Sequence, residues 1–342
     1  MLLDSSTRRK IVTSQTASPT PVLLATFNRP DLTQEVLAAI REARPERLFV
    51  ASDGPRPNVE SDAAKVAATR AIVEEMVDWP CRVERRFSDT NQGCRVGVSS
   101  AISWFFEHVE EGIILEDDCV PYSDFFGYCT ELLERYRDDD RVMSIAGDNS
   151  VGLTPTDTTA SYCFTRQPLI WGWATWRRAW QHYDGDLDGW LSLRSDPTRL
   201  EQLWRDPIER RWQASQFEQL VLTGRPDSWS YRWTLTVLLA GGLSATPNVN
   251  LVKNVGFGPS ATHTFGTRNR RAAVPTQPIL PLHHPQDVAR DQSVEHQIFD
   301  RVHGGAAMRS PLRRSAAGAK RRLGPTFRPA LNALRARLGR RS

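Results

Sequence analysis

Short apolar runs alternate with helix-period segments along the first half of the chain. Pro21–Phe27 (PVLLATF) is apolar throughout and breaks at Asn28-Arg29-Pro30. Leu32, Val36, Leu37 and Ile40 then recur at helix spacing through Arg41. Arg47–Ser52 (RLFVAS) predicts a second strand, ending in Asp53-Gly54-Pro55. A helix is expected from about Asp62 to Val77, a third strand over Arg82–Phe87, a turn at Asn91–Arg95 and a helix from about Val96 to His108. Gly112–Pro121 (GIILEDDCVP) runs three aliphatic residues straight into Glu116, Asp117 and Asp118. An all-apolar run of this kind suits a strand buried on both faces. Ser123 is positioned to cap a helix to Arg137, and Arg141–Ala146 predicts a fifth strand before Gly147-Asp148-Asn149. This alternation predicts an α/β fold with a doubly wound, mostly parallel sheet flanked by helices.

The pattern changes after residue 150. Ser161–Thr165 predicts a strand. Leu169–Trp180 (LIWGWATWRRAW) holds four tryptophans, read as core or as a sugar platform. Further on come Asp227–Trp233 (DSWSYRW), an apolar run at Thr234–Ala240, an extended Pro247–Val255, and Gly256–Phe265 (GFGPSATHTF). The expected organisation is a leader over 1–20, a nucleotide-sugar-binding half over 21–150, a Trp-rich acceptor-side half of the same domain over 151–303, and a basic tail over 304–342.

Adjacent carboxylates are costly to bury without a cation or donors, so the three acids belong at the carboxyl end of their strand. In open α/β sheets ligands bind at that edge. Hard oxygen ligands gathered there suit Mg2+ or Mn2+. A solvated acidic turn is the plainer alternative. No GxGxxG or GxxxxGK[ST] follows a strand, which argues against dinucleotide and P-loop folds.

The ordered set TFNRP (Thr26–Pro30), SDGP (Ser52–Pro55), NQGC (Asn91–Cys94), ILEDD (Ile114–Asp118), FFGYC (Phe125–Cys129), DSWSYRW and NLVKNVGFG (Asn250–Gly258) resembles nucleotide-sugar glycosyltransferases of the GT-A fold. It is most similar to the EDD-bearing N-acetylglucosaminyltransferases that extend N-glycans, and to their bacterial relatives. The resemblance covers about residues 21–265. It implies Asp118 as ligand of Mn2+ or Mg2+, Glu116 and Asp117 against the ribose and donor sugar, and Asp53 on the nucleoside. Thr26 and Arg29 would sit near the base and phosphates, and Asp227 would be the catalytic base. Asn91, Arg95, Trp229, Arg232 and His263 complete the substrate-binding candidates. Several have plainer readings. Asp53 and Asn91 could serve only their turns, Asp227 could cap a helix, and His263 could be a surface residue. His283 and His284 read as surface histidines.

An inverting enzyme of this class needs one carboxylate as base, separate from the metal, to take the acceptor's proton from the far side of the sugar. The expected substrates are a UDP-sugar and a glycan or lipid-linked glycan. Two other readings compete. One is a glycan-binding or scaffold protein without turnover. The other is a sugar-phosphate nucleotidyltransferase, which would carry a glycine-rich basic signature where this chain has FNRPDL.

Composition and charge narrow the setting. The 342 residues are 40% hydrophobic and 25% charged, an ordinary globular balance. Five scattered cysteines show no CxxC spacing, and no window resembles a signal peptide or a membrane span. A cytoplasmic location is expected. The net charge of +4 hides an uneven distribution, because Arg309–Ser342 carries eleven Lys/Arg and no acid, leaving −7 elsewhere. Nucleic acid is therefore not the expected ligand of the main domain. Phe327, Leu331, Leu334 and Leu338 fall on one helical face among arginines. That face reads as an amphipathic anchor to an anionic inner membrane surface, or else as a disordered basic tail.

Overall fold

The computed structural model describes residues 18–257, Arg271 and 274–310. The chain opens with β1 (Val22–Thr26), α1 (Pro30–Ala43), β2 (Arg47–Ser52), α2 (Glu60–Met76), β3 (Arg82–Phe87), α3 (Gly93–His108) and β4 (Glu111–Glu116). Then come β5 (Cys119–Pro121), α4 (Ser123–Arg135), β6 (Val142–Ala146), β7 (Tyr162–Thr165) and β8 (Trp173–Trp176). The helices α5 (Arg177–Trp180), α6 (Asp188–Leu193), α7 (Pro197–Leu203), α8 (Pro207–Thr223) and α9 (Ser230–Leu239) follow. The described chain closes with β9 (Leu243–Pro247), β10 (Val252–Asn254), α10 (Gln292–Val302) and α11 (Gly305–Arg309).

Eight strands form one sheet in the order β3-β2-β1-β4-β8-β6-β9-β7. The pairings β1–β2, β1–β4, β2–β3 and β6–β9 are parallel, and the other three are antiparallel. This is the expected mixed α/β architecture. Side chains alternate across β1: Val22 and Leu24 join the core under α1, α2 and α4, while Leu23 faces the core built from α3, α5 and α9. Both faces of the central strands are covered, which is why they read as unbroken apolar runs.

Two features depart from the sequence reading. The tryptophan block supplies β8, which lies antiparallel between β4 and β6. Trp173, Trp176 and Trp180 are core residues, whereas Trp171 lines a cleft. The acidic turn also leads into a second, two-stranded sheet, in which β5 pairs with β10. A three-residue strand is too short to show as a period in sequence.

Gly112 marks a tight point on β4. A Cβ there would overlap the Phe105 ring and lie 2.9 Å from the Pro21 carbonyl oxygen. Gly112→Ala should therefore cost about 1–3 kcal/mol, the usual cost of an extra methyl in a packed core. Urea unfolding measures this, and an unchanged midpoint would show that the strand relaxes freely.

Candidate functional site

The parallel strands β1, β2 and β4 end together. Thr26 pairs in register with Ser52, and Ala25 with Glu116. Their carboxyl ends open into a cleft of about 1390 Å³ lined by Thr26, Asp53, Glu116, Asp117, Asp118 and Asp227, among others. That volume exceeds the roughly 300–1,000 Å³ usual for one small ligand.

Arg29, at the start of α1, holds the acidic triplet together. Its guanidinium bonds Asp117 through Nε at 3.3 Å and through Nη2, and Asp118 through Nη1 at 2.9 Å. The Phe27 backbone N–H donates to Asp117 at 3.3 Å. Burial opposes the charge on Arg29, but the two carboxylates outweigh it and hold its pKa above the usual guanidinium value. Asp117 is buried, and that burial pushes its carboxyl up against the pull of Arg29. Glu116 lies beside them without a cation of its own. Burial, then the charges of Asp118 and Asp117, push its carboxyl up to about 8, opposed by Arg29 and by a hydrogen bond from Trp229. A carboxyl in that state can donate a hydrogen bond at neutral pH.

Asp118 is tied to the second sheet. The Asn254 side-chain amide donates to its Oδ1 at 3.3 Å. A Cβ at Gly256 would overlap Asp118 Oδ2. Asn254 and Gly256 belong to NLVKNVGFG, but their contact with the acids depends on the β5–β10 pairing, which was not expected.

Asp53 closes the turn before α3. It accepts from the backbone N–H groups of Gly54 at 2.8 Å, Gln92 at 2.9 Å and Gly93 at 3.2 Å, and from the Asn91 amide at 2.9 Å. Burial raises its pKa, and those amide donors oppose the shift. Asn91 also donates to the Gly54 carbonyl at 3.0 Å. The structure thus assigns turn chemistry to both residues at the cleft wall. It also explains why α3 begins three residues earlier than Val96: its first amides are met by Asp53, a distant residue. Thr26 donates to the Ala51 carbonyl at 3.2 Å.

Asp227 packs directly against this turn. A Cβ at Gly93, where φ is +79°, would come within 2.5 Å of its Oδ2. Its nearest cation among the described residues is Arg95, with Nε 3.9 Å from Oδ1. It does not cap α9, whose N-cap is Trp229 and has no side-chain bond. Trp229 is buried and stacks on Trp173 with centroids 5.3 Å apart. Arg232 departs from its expected role. It is buried, its guanidinium bonds the carbonyls of Gly185 at 2.7 Å and Ser228 at 3.0 Å, and Arg232 itself does not line the cleft. His263 lies outside the described residues. His284 is held by Tyr162 at 2.9 Å and Glu131 at 3.0 Å rather than by a metal-type cluster.

Sequence reasoning missed the far end of the cleft. There Trp212 of α8 meets His303, centroids 4.4 Å apart, and both line the cavity. The two lie far apart in sequence, and no motif links them. Burial, with Arg271 second, pushes the His303 imidazole from 6.5 down to about 4. Between those values the unfolded chain takes up a proton that the folded chain refuses. Stability therefore falls as the pH drops through that window. His303→Phe should shrink the difference in urea-unfolding stability between about pH 7 and about pH 4.5. An equal difference in both proteins would mean that His303 is not held neutral.

The fold and cleft define the class: a mixed α/β protein with a ligand cleft at the carboxyl edge of its sheet. No family model matches the chain, and no curated protein matches it. Two solved structures are matched over part of the chain. A UDP-glucose pyrophosphorylase complexed with UDP-glucose is 12% identical, covering 43% of this chain and 62% of its own, with a TM-score of 0.25. The 4-diphosphocytidyl-2C-methyl-D-erythritol synthase of Anaerococcus prevotii is 7% identical, covering 53% and 80%, with a TM-score of 0.29. Likeness at this level identifies neither a family nor a substrate.

Proposed function

We propose that this protein is an inverting, metal-dependent glycosyltransferase that moves a sugar from a nucleotide diphosphate, UDP in the first instance, to a glycan or lipid-linked glycan. One observation carries the reading. A single cleft presents two separate carboxylate positions: the triplet engaged by Arg29, and Asp227 with no cation nearer than 3.9 Å among the described residues. The first suits a charged leaving group and the second suits proton removal.

The residues present fit a divalent ion of the Mg2+ type. Such ions are held by one or two carboxylates, with water and substrate phosphates completing the shell. Asp118 is partly exposed to the cleft, and no trio of His, Cys, Asp and Glu converges among the described residues. The donor set therefore suits an ion shared with the diphosphate. When bound, Mn2+ or Mg2+ neutralises charge on the departing diphosphate. Arg29 is placed to add a second cation on the same side. Asp227 accepts the acceptor's hydroxyl proton as the new bond forms.

The test is a thermal-shift screen of nucleoside diphosphates and UDP-sugars with and without Mn2+, followed by chromatography of the products. A ligand that binds only the native state raises its apparent stability. The expected result is a metal-dependent shift with UDP-sugars and slow release of UDP. Binding without turnover or metal effect would favour a glycan-binding protein. Pyrophosphate made from a nucleoside triphosphate and a sugar phosphate would favour a nucleotidyltransferase.

Membrane attachment is part of the same proposal. No helix among the described residues is long and apolar enough to cross a membrane. Arg309, the first residue of the basic run, is part of the fold, since α11 ends there and its guanidinium pairs with Asp206 and Asp300. The ten basic residues after Ser310 lie outside the described residues. Each basic residue near an anionic surface is worth about 1 kcal/mol. The full chain should float with anionic liposomes at low salt, and a chain ending at Ser310 should not. Equal behaviour of the two would remove the tail as an anchor.

A further inference from the structure

The cleft continues beyond Asp227 to a part that the proposed chemistry leaves unused. Trp212 and His303 line that end together, their rings inclined by 35°. Trp212 also meets the Phe299 ring at 5.8 Å, so it is braced from α10. Two amides line the cavity with them. Gln213 is 6% exposed and Gln167 is 9% exposed. The Gln167 Oε1 has no hydrogen-bond partner among the described residues. A buried acceptor without a donor costs free energy, and a turn of the Gln167 amide toward the cavity would let a ligand hydroxyl relieve that cost. An aromatic ring gives a sugar's C–H face somewhere to stack, and planar amides serve its hydroxyls. Among the described residues no basic cluster marks this end for an anion, and Arg271 is paired with Asp148 at 2.7 Å.

We propose that the Trp212–His303 end of the cleft, with Gln167 and Gln213, binds the second sugar unit of an oligosaccharide acceptor. The enzyme then extends a chain of at least two sugars, with the unit nearer the acids placing its hydroxyl at Asp227. This rests on the glycosyltransferase reading and narrows its acceptor. It also gives a use to a cavity whose volume exceeds that usual for one small ligand.

The experiment is saturation-transfer NMR on the full chain. The probes are cellobiose, maltose, lactose and N,N′-diacetylchitobiose, with glucose and N-acetylglucosamine as single-ring controls. At least one disaccharide should receive saturation on both rings and bind more tightly than the controls. Trp212→Ala should weaken that binding by about tenfold or more, the loss of a stacked ring. Trp212→Phe keeps a ring against His303 and should lose less, which separates stacking from misfolding. UDP thermal shifts measured on the same samples should be unchanged in both variants. Absence of disaccharide binding, or binding untouched by Trp212→Ala in a folded variant, overturns the subsite. Trp212-dependent disaccharide binding in a protein that responds to no nucleotide sugar overturns the acceptor role together with the transferase reading.

Discussion

Asp118→Asn is expected to lower sugar transfer by at least roughly 10³-fold while the fold survives. The substitution keeps the shape of the side chain and removes the charge with which Asp118 would hold the metal. Loss of fold is not the expected cause. Arg29 keeps Asp117 as its partner, through both Nε and Nη2. The negative charge of Asp118 also pushes the Glu116 carboxyl upward, so its removal relieves repulsion within the cluster. The thermal midpoint should hold or rise, while the Mn2+-dependent shift with UDP disappears. A variant with near wild-type rate and an unchanged metal response would remove Asp118 from the metal role.

Asp227→Asn should reduce transfer by roughly 10²–10⁴-fold, the usual contribution of a general base. Its signature differs from that of the Asp118 variant. Among the described residues Asp227 shares no hydrogen bond with the triplet, and its one ion pair is with Arg95. Nucleotide binding and its metal dependence should therefore persist, and the loss should fall on kcat. The amide also keeps the contact with Gly93, so α3 is not disturbed. A variant that binds nucleotide poorly yet transfers normally at saturating donor would assign Asp227 to the donor instead.

Much of the first half was legible because its signals are local. Central strands covered on both faces must be apolar throughout, so PVLLAT and IIL marked themselves, and the acids had to lie where the second of those runs ends. What escaped depended on partners far apart in sequence. The start of α3 was placed late because its cap is Asp53, about forty residues upstream. The strand at Trp173–Trp176 was hidden because four aromatic residues pack equally well in a strand, a helix or a loop. Arg232 looked like a ligand because a motif says nothing about direction, and its guanidinium turned out to satisfy two carbonyls of the backbone. The Trp212–His303 pair had no signal at all, since α8 and the chain after α10 meet only in the folded state.

The turn that Asp53 builds has a consequence for redesign. The backbone amide of Gly93 is fixed by Asp53 on one side, and its α-carbon abuts the Asp227 carboxylate on the other. Position 93 admits only glycine, for conformation and for space alike. The Asp53 turn and the Asp227 carboxylate thus meet in a single peptide unit with no slack between them. Re-engineering the Asp53 or Asn91 side for another nucleotide cannot be a local edit. Any shift of that turn is carried through Gly93 to Asp227, so under the proposed function donor preference and turnover would have to be optimised as one trait.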